Sequence, residues 1–145
     1  MSNYLLYSTG TNPHRNLALE SALMEKIQPG DFCMYLWQNK HTVVIGRNQN
    51  AWAECRTAEL ERDGGTLARR LSGGGAVYHD LGNLNYSFIT EAGNTAELSM
   101  QALARPVCSA LRSLGLRAEL SGRNDICIDG RKVSGTAQRL SGGRV

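Results

Sequence analysis

The apolar positions of this chain fall into short blocks, some spaced for strands and some for helices. Tyr4 to Tyr7 reads as an opening strand. In NPHRNLALESALMEKIQPG, Leu19, Leu23 and Ile27 recur at fourfold spacing, which predicts a helix that Pro29-Gly30 ends. In FCMYLWQNKHTVVIG, two apolar runs flank the polar Gln38-Asn39-Lys40, and an antiparallel strand pair is expected there. AWAECRTAELERDGG is rich in helix formers around a lone Leu60 and stops at two glycines. Strands are expected over Thr66 to Arg70 and Leu84 to Thr90. A second long helix is expected over Ala96 to Leu114, with Leu103, Val107 and Leu111 on one side and a kink or late start at Pro106.

The last patterned stretch, GRNDICIDGRKVSG, has Asp129-Gly130 between two alternating arms, a strong hairpin signal. A two-residue turn there sets Ile128 against Arg131, Cys127 against Lys132 and Ile126 against Val133. Asp125, Cys127, Lys132 and Ser134 then share one face, and Ile126, Ile128 and Val133 form an apolar one. Helices alternating with strand pairs predict an α/β (α+β) fold with a mixed, largely antiparallel sheet. At 145 residues, one domain is expected.

Composition narrows the partners. The chain is 41% apolar and 20% charged with a formal net charge of +3, which is ordinary for a globular protein and too mild to mark a nucleic-acid binder. No basic leader or long apolar run predicts export or membrane insertion, and the four cysteines form no CxxC pair. A reduced, cytoplasmic setting is expected, with neither nucleic acid nor membrane as a partner.

The candidate chemistry lies in RRLSGGGAVYHDLGN, Arg69 to Asn83. Three consecutive glycines cost order, and one return on that cost is that bare backbone amides can close around an anion such as phosphate. A wide turn is the plainer alternative. Neither GxxxxGK[ST] nor GxGxxG is present, so the P-loop and dinucleotide motifs do not account for it. Arg69 and Arg70 supply planar donor forks, but strand alternation aims only one of them at a site by the loop. On the hairpin, the Asp125/Lys132 pair reads either as a pocket lining or as an ordinary solvated ion pair. Cys127 opposite Lys132 is either an activated thiolate or an inert half-buried thiol.

Together, RRLSGGGAVYHDLGNLNYSF and GRNDICIDGRKVSGTA resemble the lipoate–protein ligase family, and the chain resembles the first part of that family's catalytic domain. The resemblance implies a biotin/lipoate ligase-like fold. It also implies an enzyme that makes lipoyl-AMP from lipoic acid and ATP with Mg2+, then passes the lipoyl group to a lysine of acceptor domains in 2-oxoacid dehydrogenase or glycine-cleavage proteins. It implies that Arg70 contacts the adenylate phosphate. Ser72, Gly73, Gly74, Gly75, Ala76, Val77 and Tyr78 would form the nucleotide-holding segment, and His79, Asn83, Asn124 and Asp125 further pocket positions. Lys132 would bridge carboxylate and α-phosphate, Ser134 would join it on the lipoate, and Asp125 would orient Lys132 or hold Mg2+.

Members of that family continue beyond the point matching Val145, so a further segment or a separate chain completing the domain is expected. Two rivals stay open. A related transferase would relay an acyl group through Cys127 without ATP, and Cys127→Ser would separate it from the ligase. A non-catalytic lipoate-binding remnant would bind without turnover.

Overall fold

A computed structural model of the chain describes residues 1–93, 100–122 and 124–145. These residues form two compact units, one made of Met1–Glu91 with Arg139–Val145, the other of Ala92–Gln138.

The first unit contains β1 (Asn3–Tyr7), α1 (Pro13–Lys26), β2 (Phe32–Trp37), β3 (Thr42–Ile45), α2 (Ala51–Glu54), α3 (Thr57–Arg62), β4 (Thr66–Arg69), β5 (Val77–His79) and β6 (Asn85–Thr90). Helix α1 lies within the expected segment and opens on a side-chain cap. Asn12 Oδ1 accepts from the Arg15 amide at 3.1 Å, and Pro13 takes the first turn, where its missing N–H costs nothing. Leu23, Met24 and Ile27 pack on Cys33 of β2 and Ile89 of β6, whereas Leu19 remains 40% exposed.

The runs around Gln38-Asn39-Lys40 do form two strands, but they do not pair with each other. β2 lies between parallel β1 and antiparallel β6, and β3 lies between parallel β4 and antiparallel β5. The connection is held to the start of α1 instead of folding back. Gln38 O accepts from Asn16 Nδ2 at 2.9 Å, Asn39 is fully buried, the Lys40 amide donates to Thr11 O, and His41 takes a left-handed φ of 45°. AWAECRTAELERDGG breaks into α2 and α3 at Cys55, whose backbone is extended. Neither piece buries a residue, so nothing rewards a continuous helix. The chain's last residues return to β6, where Thr90 and Val145 exchange backbone hydrogen bonds of 2.9 Å.

The second unit is α4 (Met100–Ser113) on an antiparallel sheet of β7 (Ala118–Ser121), β8 (Asp125–Ile128) and β9 (Arg131–Gly135). The helix runs through Pro106; the expected start at Ala96 lies outside the described residues. Its deepest contacts are Ala104 and Cys108 against Ala118 and Ile126, one position beyond the expected stripe, with Val107 and Leu111 flanking.

The hairpin turns at Asp129 (φ 50°) and Gly130 (φ 74°), and Cys127↔Lys132 and Ile128↔Arg131 pair as the sequence predicts. A bulge between Ile126 and Cys127 then shifts the register, so Ile126 faces Ser134 and Asp125 faces Gly135. The extra residue in β9 is Val133, which is passed over and left 51% exposed instead of joining the core. The fold is mixed α/β with largely antiparallel sheets, as expected.

Candidate active site

The first unit carries the glycine loop between β4 and β5. Gly73, Gly74 and Gly75 are exposed. A Cβ added at Gly73 or Gly75 would meet no other atom within 4 Å, so the loop backbone is open to an approaching group. Gly74 is different: its φ is 95°, and a Cβ there would lie 2.8 Å from Arg70 Nη2. Ser72 O accepts from the Arg47 amide at 2.9 Å, Ala76 is half-buried, and Val77 and Tyr78 are exposed on β5.

Arg70 fixes the loop's shape. Its Nε and Nη2 donate to Gly73 O at 3.1 and 2.9 Å, Nη2 also to Gly75 O at 2.6 Å, and Nη1 to Val44 O at 3.1 Å. One Nη1 hydrogen remains for a ligand. Arg69 turns the other way, as strand alternation requires, and its Nη1 reaches Gly46 O, Arg47 O and Gln49 O.

His79 ends β5 buried, with Nδ1 3.2 Å from Asn39 Nδ2 and its ring edge-on to Trp37. Burial, then the Arg70 charge, pushes its pKa below the usual histidine value. The Asn83 amide donates to Asp80 O at 3.1 Å, and its Nδ2 to Asn85 Oδ1 at 3.2 Å, in the turn leading to β6.

The second unit carries the lysine. Lys132 Nζ lies 2.8 Å from Asp125 Oδ1, and both side chains are partly exposed. A Cβ on Gly135, opposite Asp125, would sit 3.1 Å from Lys132 Cε and Nζ. Asn124 closes the open end of the hairpin: its Nδ2 donates to Thr136 O at 2.9 Å and its carbonyl accepts from the Thr136 amide at 2.8 Å. Ser134 sits opposite Ile126, half-buried. Cys127 is a free, buried thiol.

A protein-held Mg2+ does not fit these residues. Asp125 is engaged by Lys132, and among the described residues no three His, Cys, Asp or Glu side chains converge on one point.

Three features escaped sequence reasoning. Gly46 packs so closely under the loop that a Cβ would lie 2.1 Å from Gly74 O. Glu20 Oε1 accepts from Ser87 Oγ, which in turn receives Trp37 Nε1 at 3.1 Å; burial raises its pKa, against the Ser87 bond and the charges of Arg139 and Arg70. Asn16 is buried within an otherwise amphipathic helix, the one such feature a sequence could flag.

The first unit thus carries an open glycine loop, clamped by an arginine, on mixed parallel and antiparallel strands. Residues 12–145 match the lipoyl protein ligase A/B catalytic domain, and the chain belongs to that family. It is 46% identical over 134 residues to lipoate-protein ligase LplJ of Bacillus subtilis (strain 168), covering 92% of this chain and 40% of that protein. Two solved structures are similar. The bi-partite lipoate protein ligase of Thermoplasma acidophilum, described with its E2 lipoyl domain, superposes with a TM-score of 0.90 at 31% identity, covering 99% of this chain and 58% of that one. A lipoate-protein ligase A bound with ATP gives 0.87 at 31% identity, covering 99% and 64%. The chain thus spans about two fifths of the length of the curated relative.

Proposed function

We propose that this chain is the adenylate-forming part of an ATP-dependent lipoate–protein ligase. A carboxylate is a poor electrophile toward an amine. Its oxygen attacks the α-phosphorus of ATP, the bond to pyrophosphate breaks, and lipoyl-AMP forms. The amine of an acceptor lysine then attacks the acyl carbon, AMP leaves with the bonding electron pair, and the amine loses a proton. Both reactants of the first step are anions, so fixed donors and cations lower the barrier.

In this reading the exposed Gly73–Gly75 backbone receives the phosphate, Arg70 holds the loop in shape and adds its charge, and Tyr78, Val77 and Ala76 line the nucleotide. Lys132 neutralises carboxylate and α-phosphate as charge builds between them, oriented by Asp125. Ser72, His79, Asn83, Asn124 and Ser134 support the bound groups. Mg2+, where required, arrives with the nucleotide's phosphates. The acceptors are lipoyl domains of 2-oxoacid dehydrogenase or glycine-cleavage proteins.

The observation that carries the reading is the loop itself: an open backbone whose conformation is held by Arg70, in a chain 46% identical to a lipoate–protein ligase. The burial of Cys127 and the ligase identity of the relatives favour it over a cysteine relay. Lipoate-dependent exchange of labelled pyrophosphate into ATP tests it, with Lys132→Ala as control. Exchange by the wild type, alone or with the unmatched part of a longer relative supplied in trans, and its loss in the variant support the proposal. A folded wild type that exchanges no label under either condition refutes it.

A further inference from the structure

Two buried asparagines connect the start of α1 to His79. Asn16 and Asn39 are 1% and 0% exposed, and buried amides persist only when their hydrogen bonds are made. One end of the Asn16 amide lies 3.2 Å from Gly10 O and 2.9 Å from Gln38 O. Backbone carbonyls only accept, so that end is the NH2. The other end accepts from Ser8 Oγ at 2.6 Å and Tyr35 Oη at 3.2 Å, as an amide oxygen should.

The two hydrogens of this NH2 are shared among three acceptors, with Gly10 O the most distant, and the atom of Asn39 that faces it at 3.0 Å is Oδ1, which turns the Asn39 NH2 toward His79 Nδ1, 3.2 Å away. An NH2 cannot accept. His79 Nδ1 must therefore be the acceptor, and the ring's hydrogen sits on Nε2. Two backbone carbonyls thus decide, through two amides, which nitrogen of a histidine carries its proton.

Burial and Arg70, the charged group that acts on the ring, both oppose a second proton. Among the described residues no partner is seen for His79 Nε2. His79 stands at the end of the strand that leaves the glycine loop, facing Thr42 of β3.

We propose that Asn16 and Asn39 are positioning residues that lock His79 in its Nε2–H tautomer, so that it serves the bound acyl-adenylate as a neutral hydrogen-bond donor to an anionic oxygen and not as a general base. The identity of the anion rests on the ligase reading above. A donor fixed in advance stabilises an oxyanion without reorganising when charge develops.

Long-range proton–nitrogen NMR of the histidine-labelled chain reads the tautomer directly, with His79→Gln assigning the signals. The wild type is expected to show an unprotonated Nδ1 that gains its proton only below the usual histidine pKa. Asn39→Asp sets an acceptor against Nδ1 and is expected to move the titration upward. An Nδ1–H ring, or one that titrates alike in both proteins, overturns the positioning role.

Binding of a non-hydrolysable lipoyl-adenylate mimic reads the donor. His79→Ala is expected to weaken it on the order of tenfold, while His79→Gln, which keeps an N–H, restores most of the affinity. Equal loss in both variants overturns the donor role. A wild type with the expected tautomer but no affinity for the mimic overturns the ligand assignment together with the proposed function, and leaves the positioning role standing.

Discussion

Arg70 Nη2 donates to the carbonyl of Gly75 at 2.6 Å while Nε and Nη2 both hold Gly73 O, so one guanidinium spans the glycine segment. A planar fork suits this geometry, and an ammonium does not. Arg70→Lys keeps the charge but cannot hold Gly73, Gly75 and Val44 together. It is expected to cost about 1–3 kcal/mol of stability, read as a lower urea midpoint, and to make the loop more sensitive to limited proteolysis. An unchanged midpoint and digestion pattern would mean the clamp does not hold the loop.

Gly75, Gly74 and Gly46 should respond differently to substitution. Gly75 has open space around a new Cβ and no left-handed φ, so Gly75→Val is expected to leave the unfolding midpoint nearly unchanged while abolishing binding of a lipoyl-adenylate mimic. Gly74→Val adds left-handed strain of about 1–2 kcal/mol to its contact with Arg70. Gly46→Ala meets backbone at 2.1 Å, which no rotamer relieves, and is expected to be the most destabilising of the three. Calorimetric titration alongside denaturant unfolding separates the two effects. A Gly75→Val protein that binds as the wild type does would remove the loop amides from the ligand site.

Much of this was legible from local signals. The Leu19, Leu23 and Ile27 spacing marks α1, Asp129-Gly130 turns the hairpin, and the opposed directions of Arg69 and Arg70 follow from alternation alone. What local pattern could not carry is long-range. β2 and β3 look like a hairpin but part company because Asn39 is drawn to Asn16, 23 residues away. The bulge that exposes Val133 leaves the apolar alternation of β9 intact, so no periodicity marks it. Gly46 matters only because Gly74 lies over it, and Glu20 finds its partner in Ser87, 67 residues away.

The Asp125–Lys132 pair is partly exposed, which separates function from stability. Pairs in such settings contribute about 0–1 kcal/mol, so Asp125→Asn and Lys132→Ala are both expected to fold with nearly wild-type midpoints. Pyrophosphate exchange, in contrast, should vanish in Lys132→Ala and fall severalfold in Asp125→Asn, whose amide still reaches the lysine but no longer balances its charge. Gly135→Ala crowds Lys132 at 3.1 Å and should reduce exchange without removing the charge. Full exchange in Lys132→Ala would leave the hairpin without a role in the chemistry.

Glu20 gives the first unit a pH dependence whose sign is fixed by burial. An unfolded glutamate titrates near about 4.3, and burial raises the folded value above this in spite of Ser87, Arg139 and Arg70. Between the two values the folded chain keeps a proton that the unfolded chain has lost, so stability falls as pH rises through that window and levels off above the folded pKa. Each pH unit the window spans is worth about 1.4 kcal/mol. Glu20→Gln retains an oxygen for Ser87 Oγ and cannot titrate. Its stability relative to wild type is therefore expected to increase as pH rises through that window and then stay constant, as measured by urea unfolding over a pH series. A wild type that instead gains on Glu20→Gln with rising pH would show that the two arginine charges outweigh desolvation, and that the carboxylate is held ionised between them.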